Sequence, residues 1–161
     1  MNPVERAISP ATQEKPGISI ILAQPEDLEA AKRLADRHKN ELGFINRAIL
    51  RKAIEADSLL IARTTEESEL VGLAHFYVRR DQQITLYSIV VEQQYQRLGV
   101  GRQLFSALVH EAVKRGKQDI VLKCPIELPA NRFYKHLGLQ HVAVEPGKQR
   151  SLNIWKYTLS A

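Results

Sequence analysis

The chain has 161 residues, 44% of them hydrophobic and 25% charged, with a net charge of +5 and a single cysteine. That suits one domain with a sizeable core. No apolar run reaches the ~18 residues that cross a bilayer, and one thiol makes no internal disulfide, which points to a reducing cytoplasm.

Residues 1–17 contain Pro3, Pro10 and Pro16, little apolar periodicity and no secretory h-region, and read as a flexible tail before a folded domain at 18–161. Ile18 to Leu22 reads as the first strand. Pro25 opens a helix with Leu28, Ala31, Leu34 and Ala35 inward, running to about His38. A loop with Gly43 leads to a second helix near Asn46 to Glu55. Leu59–Arg63 and Leu70–Arg79 read as strands joined by the acidic turn Thr64–Glu69, and Arg80–Gln83 turns into the next strand. That strand carries Leu86, Ile89, Val90 and Val91. Further strands lie at Asp119–Lys123, His141–Val144 and Leu152–Thr158. The sum is an α/β domain of three layers, with about seven strands and four helices, free of internal repeats.

The stretch Ile84–Leu108 carries most of the chemistry. After the strand come Gln96-x-x-Gly99-x-Gly101 and a helix with Leu104, Phe105, Leu108 and Ala112 on one face. Two glycines in a first turn remove Cβ atoms between backbone and ligand. The amides of Leu98 to Arg102, with the helix dipole behind them, form an anion site suited to a phosphate or pyrophosphate. A dinucleotide fingerprint would require a third glycine where Leu104 stands, although Asp119 lies where a ribose-binding acid could sit. Gly-Lys-Ser/Thr is absent. A glycine-softened helix start without a ligand is the plain alternative.

Downstream, Leu128–Leu139 (LPANRFYKHLGL) reads as a short helix opened by Pro129 and closed by Gly138. Gln-x-x-Gly-x-Gly after a strand, followed by Asn-x-Phe-Tyr-x-x-x-Gly-Leu, resembles the Gcn5-related N-acetyltransferase (GNAT) superfamily, from Ile18 to Leu159. Leu139 stands where the family's second motif usually ends in an aromatic, and Arg97 where a glycine is frequent in the first. The resemblance implies the GNAT fold, with a mixed, mostly antiparallel central sheet, and acetyl-CoA as cosubstrate. It implies backbone contacts to the pantetheine arm from Ile89, Val90 and Val91, and a pyrophosphate wrapped by Gln96, Arg97, Leu98, Gly99, Val100, Gly101 and Arg102. An arginine at position 97 can add a charge-assisted phosphate contact.

The resemblance also implies a catalytic role for Tyr134, whose phenol would protonate the departing thiolate; the plain alternative is that Phe133 and Tyr134 pack under the sheet. A base is harder to place. The family's strand glutamate falls at Thr85, which cannot serve, leaving His75 as the best titratable substitute, a buried satisfied histidine, or a water relay to Glu41 or Tyr87. Asn131 could contact the cofactor or cap the short helix. Cys124 reads as a buried structural thiol ahead of a Cys-His nucleophile with His136 or His141.

No metal-ligand spacing is present. The positive charge asks for an anionic partner, which a polyphosphate cofactor satisfies without nucleic acid; a nucleic-acid domain would need interleaved aromatics. Acceptor specificity is expected at His38–Ile45 and at Glu145–Ser151, where Lys148 and Arg150 form either a solvated turn or an anion-attracting rim. The expectation is therefore a cytoplasmic N-acetyltransferase acting on a small-molecule or peptide amine, compatible with a homodimer and independent of metal, nucleic acid and membrane. The rival is a non-catalytic coenzyme-A-binding module of the same fold.

Overall fold

The computed structural model describes residues 17–159. The expected tail at 1–17 therefore lies, but for Gly17, outside the described residues. Seven strands, β1 (Ile18–Leu22), β2 (Leu59–Thr64), β3 (Leu70–Val78), β4 (Gln83–Val91), β5 (Asp119–Pro125), β6 (Gln140–Glu145) and β7 (Leu152–Thr158), form one sheet in the order β1-β2-β3-β4-β5-β7-β6. Every pair is antiparallel except β4–β5. Five α-helices accompany it: α1 (Leu28–Arg37), α2 (Lys39–Leu42), α3 (Arg47–Glu55), α4 (Val100–Lys114) and α5 (Ala130–His136).

Strand alternation builds two cores from one sheet. In β2, Leu60 and Ala62 face α4, joining Phe76, Ile84, Leu86, Ile120 and Leu122 against Leu104, Phe105 and Leu108. Leu59 and Ile61 point the other way, with Leu73 and Val90, against Ala31, Leu34, Leu50 and Ile54 of α1 and α3. Burial on both faces explains why the first four residues of β2, Leu59 to Ala62, form an unbroken apolar run.

Two local departures from the sequence expectation have physical causes. The helix after Pro25 begins as a 3-10 turn, Pro25–Asp27, in which the Asp27 carboxylate accepts the Gln24 amide (2.7 Å) and a hydrogen bond from Arg63 (2.7 Å). The expected loop after His38 contains the extra helical turn α2, closed by Gly43 at φ 76°.

Strand β4 departs from regular pairing on both of its edges. Its register against β3 slips between His75 and Phe76, so that Phe76 pairs with Leu86, His75 with Ser88, and Tyr87 is the extra residue of a bulge. The bulge resets the alternation: Ile84 and Leu86 before it, and Val91 after it, all face the α4 core. On the other edge, the parallel pairing with β5 covers only Gln83–Thr85 against Asp119–Val121. Beyond Thr85 the two strands pair no further, leaving Leu86–Val91 and Leu122–Pro125 on either side of a gap.

Candidate active site

The gap between β4 and β5 has an unused hydrogen-bonding edge. The Glu92 amide donates to the Val71 carbonyl (2.8 Å), which fixes the alternation along β4. Val90 thus turns its amide and carbonyl to Leu73 of β3, while Ile89 and Val91 turn theirs to the gap. Of the three residues expected to offer backbone groups, Ile89 and Val91 are placed to do so and Val90 is not; its side chain lies in the α1/α3 core. The Gln96 side-chain amide already donates to the Val91 carbonyl (2.9 Å), fastening the loop to the strand end. Gln96 thus acts as a staple.

The loop then makes two left-handed turns, Arg97 at φ 66° and Gly99 at φ 86°. For an arginine this conformation costs about 1–2 kcal/mol, so the fold must hold it. Gly99 is the N-cap of α4 and supplies no capping side chain. The amides of Val100, Gly101 and Arg102 therefore lack intrahelical acceptors, and that of Gln103 is the first to bond, to the Gly99 carbonyl (3.0 Å). The Val100 side chain is buried in the core, Leu98 is half-buried, and Arg97 and Arg102 are exposed. Arg102 reaches the His136 carbonyl at 3.4 Å.

Gly101 has a different task from the one expected. A Cβ at this position would sit 2.9 Å from Cζ and 3.3 Å from Cε1 of Phe133. The missing side chain makes room for α5, so the two sequence motifs touch each other directly. Gly99 alone is required for its backbone conformation.

That contact carries Tyr134 into place beside the α4 core, its ring 5.7 Å from that of Phe133. Burial, and secondarily Cys124, push its phenol above the ordinary range. It therefore keeps its proton throughout the neutral range, as an acid or hydrogen-bond donor must. Its hydroxyl bonds no described residue. Burial likewise raises the Cys124 thiol, with Glu127 adding and Arg150 opposing. His136 bonds the Arg132 carbonyl (2.8 Å) and His141 bonds Asn153 (2.8 Å), so no described histidine activates that thiol.

His75 is not part of this group. Alternation along β3 puts Ala74 and Phe76 in the α4 core and His75 on the opposite face. There it stacks on Tyr87 at 5.4 Å, and burial lowers its pKa, leaving a neutral imidazole. Asn131 also departs from its expected roles. Its amide donates to the carbonyls of Pro125 (2.9 Å) and Leu128 (2.8 Å), and its oxygen accepts from Asn153 (3.0 Å) and Trp155 (2.8 Å). Both donors and both lone pairs are used, so its side chain has no free hydrogen-bonding group to offer a cofactor and does not cap α5; it ties the β5–α5 loop to β7.

An ionic cluster, buried at His38, nearly so at Glu92 and open to solvent at Arg37 and Glu41, escaped the sequence reading. Glu92 receives hydrogen bonds from Arg37 (2.9 Å) and His38 (2.9 Å), and the other His38 ring nitrogen lies 3.2 Å from Glu41. Burial works to raise the Glu92 carboxyl, but the hydrogen bonds from His38 and Arg37 overcome it and hold it below the usual carboxylate range. The cluster pins the α1–α2 corner to the end of β4. Its partners lie 54 residues apart in sequence, a separation no local pattern signals. At the other expected acceptor loop, Arg150 is paired with Glu127 (2.7 Å) and Lys123 with Glu145 (2.6 Å), both pairs being exposed to solvent. Among the described residues, no group of three or more His, Cys, Asp or Glu could hold a metal ion, and no helix is long and apolar enough to cross a membrane.

A mixed sheet that splays at its one parallel pair, beside a helix with uncapped first-turn amides, defines a recognisable architectural class. The acetyltransferase (GNAT) family model matches residues 24–139, and the chain belongs to this family. Ard1 from Thermoplasma volcanium superposes with a TM-score of 0.79 at 18% identity, covering 90% of this chain and 99% of that one. The ribosomal-protein-S18-alanine N-acetyltransferase from Escherichia coli gives 0.71 at 23% identity, over 89% and 95%. The yncA protein from Salmonella typhimurium, solved with its cofactor acetyl-CoA, gives 0.74 at 20%, also over 89% and 95%. At these identities the likeness is one of fold. No curated protein sequence matches the chain.

Proposed function

We propose that this protein is an acetyl-CoA-dependent N-acetyltransferase that moves the acetyl group directly from the thioester to a primary amine. The observation that carries the reading is the gap beyond Thr85 and Val121, open along Ile89 and Val91 and ending at the bare amides of Val100, Gly101 and Arg102. An extended amide-bearing arm fits the strand edge and a pyrophosphate fits the helix start. Arg97 and Arg102 add exposed cations at the same loop.

In this arrangement the amine nitrogen bonds to the acyl carbon and the carbon–sulfur bond breaks. Tyr134 donates its phenolic hydrogen to the departing sulfur, the nitrogen loses a proton to solvent, and the phenolate takes one back from solvent before the next turnover. Direct transfer needs no nucleophile from the chain, in keeping with a Cys124 thiol that burial keeps protonated. The rival, a binding module without turnover, draws support from the absence of a carboxylate or imidazole hydrogen-bonded to Tyr134 among the described residues.

Calorimetry with acetyl-CoA, followed by a thiol-release assay over a mixed panel of amines and peptides, separates the two. Binding with acceptor-dependent release of coenzyme A is expected. Binding with no release from any acceptor would favour the module, and no binding at all would remove both readings.

A further inference from the structure

The uncovered side of the gap carries an aromatic surface that the reaction chemistry does not use. Helices α1 and α3 cover β2 and β3 on this face; beyond them Tyr77 and Tyr87 remain 54% and 61% exposed. Their ring centroids lie 6.2 Å apart with planes at 42°, and His75 adds a third ring 5.4 Å from Tyr87. Tyr87 owes its place to the bulge that inserts it opposite the His75–Phe76 step, just past Thr85, the last residue of β4 paired with β5. The surface therefore begins where the gap begins. Single exposed aromatics are ordinary, but two adjoining exposed tyrosines backed by a half-buried histidine on an unpartnered sheet face call for an occupant.

The position decides which reactant meets it. Tyr134 and the bare α4 amides lie on the α4 side of the sheet. An acceptor must reach the gap from the opposite side, across Tyr87. The three rings carry no charge of their own at neutral pH, since burial lowers the His75 pKa, and the described cation–π contacts fall on Phe44 and Phe76, leaving these ring faces without a cation–π partner among the described residues. Phenol faces attract an ammonium and stack with flat apolar groups, while offering nothing to a carboxylate.

Resting on the proposed N-acetyltransferase reading, we infer that Tyr77 and Tyr87 form the acceptor platform and select a primary amine held one or two carbons from an aromatic ring. A small arylalkylamine and a peptide with an aromatic first residue share that chemistry. Tyr87 supplies the ring nearest the reacting centre, and Tyr77 extends the surface away from it.

The test is calorimetric, on the full chain loaded with coenzyme A, so that it does not depend on turnover. The probes are phenethylamine and phenylalaninamide, with ethanolamine as the ring-free control. Both aromatic amines should bind about tenfold or more tighter than ethanolamine, the scale of one aromatic pair plus burial. Tyr87→Thr, which keeps strand propensity but removes the ring, should abolish that advantage, and Tyr87→Phe should retain it. Tyr77→Ala should weaken aromatic binding to a lesser degree. Coenzyme-A affinity should stay constant throughout. Tighter binding of phenylalaninamide would mark a peptide acceptor, and tighter binding of phenethylamine a small one; either supports the platform. Equal affinity for ethanolamine, or phenethylamine binding unmoved by Tyr87→Thr, would overturn it. Ring-dependent binding without release of coenzyme A from acetyl-CoA would uphold the platform and sink the transferase reading.

Discussion

Adding one methyl group at Gly101 tests whether the two motifs act as one mechanical unit. In Gly101→Ala the new Cβ would start 2.9 Å from the Phe133 ring tip, whereas carbon pairs prefer about 3.5–4.0 Å. The ring, and with it α5, must retreat by about 0.6–1.1 Å. Overpacking of that kind costs about 1–3 kcal/mol. Replacing a helical glycine by alanine returns roughly 0.5–1 kcal/mol. The net expectation is a destabilisation of up to about 2.5 kcal/mol, read as a fall in Tm of about 2–4 °C per kcal/mol for a domain of this size. The larger effect should fall on chemistry, because Tyr134 moves with α5, and a displacement near 1 Å costs about 10²-fold in rate. Acetyl-CoA affinity should change far less, since the amides of α4 remain in place. Phe133→Leu, which shortens the facing side chain, should recover part of both losses in the double variant. If Gly101→Ala keeps wild-type Tm and turnover, or if the two changes simply add, the coupling between α4 and α5 does not exist.

Arg97→Gly separates backbone from side chain: it relieves a left-handed arginine and should stabilise the fold by about 0.5–1 kcal/mol, yet weaken acetyl-CoA by about 1.5–3 kcal/mol if the guanidinium meets phosphate. Denaturant unfolding and calorimetry read the two effects, and unchanged affinity would place the side chain in solvent. Asn131→Ala should lower stability by about 2–3 kcal/mol by stranding the Trp155 indole and its carbonyl partners, with acetyl-CoA affinity of the folded protein intact; an affinity loss without a Tm loss would restore a cofactor role. Glu92 titrates below its ordinary range in the folded state. Its contribution is therefore present above the unfolded value of about 4.3 and fades as pH falls through the lower folded value. Glu92→Gln should destabilise the protein at pH 7, with the gap closing below about pH 4 in thermal melts; a gap independent of pH would mean the carboxylate charge is not what holds the α1–α2 corner.

The sequence made some of this architecture legible and hid the rest for identifiable reasons. The strand–glycine–helix stretch is local: Leu104, Phe105, Leu108 and Ala112 repeat at helical spacing, and all four are buried as expected. The strands emerge from apolar runs of the right length. The bulge at Tyr87 leaves no composition signal, so the orientation of His75 relative to the gap could not be read; with Ala74 and Phe76 in the α4 core, His75 lies on the opposite sheet face from Tyr134, beside Tyr87. Glycine carries two meanings in sequence, a left-handed backbone or a close neighbour. Only three-dimensional contact assigns the first to Gly99 and the second to Gly101. Asn131 and Glu92 are saturated by partners from distant strands and helices, which polar residue type alone does not reveal.

The central claim, that thiolate departure in the β4–β5 gap is assisted by the Tyr134 phenol, rests most directly on one measurement: kcat and acetyl-CoA affinity of Tyr134→Phe, with an acceptor drawn from the amine and peptide panel. Phenylalanine keeps the packed ring and removes only the hydroxyl. A fall in kcat of roughly 10²–10⁴ is expected, with affinity nearly unchanged. Turnover close to wild type in the folded variant would contradict the claim and return Tyr134 to the core.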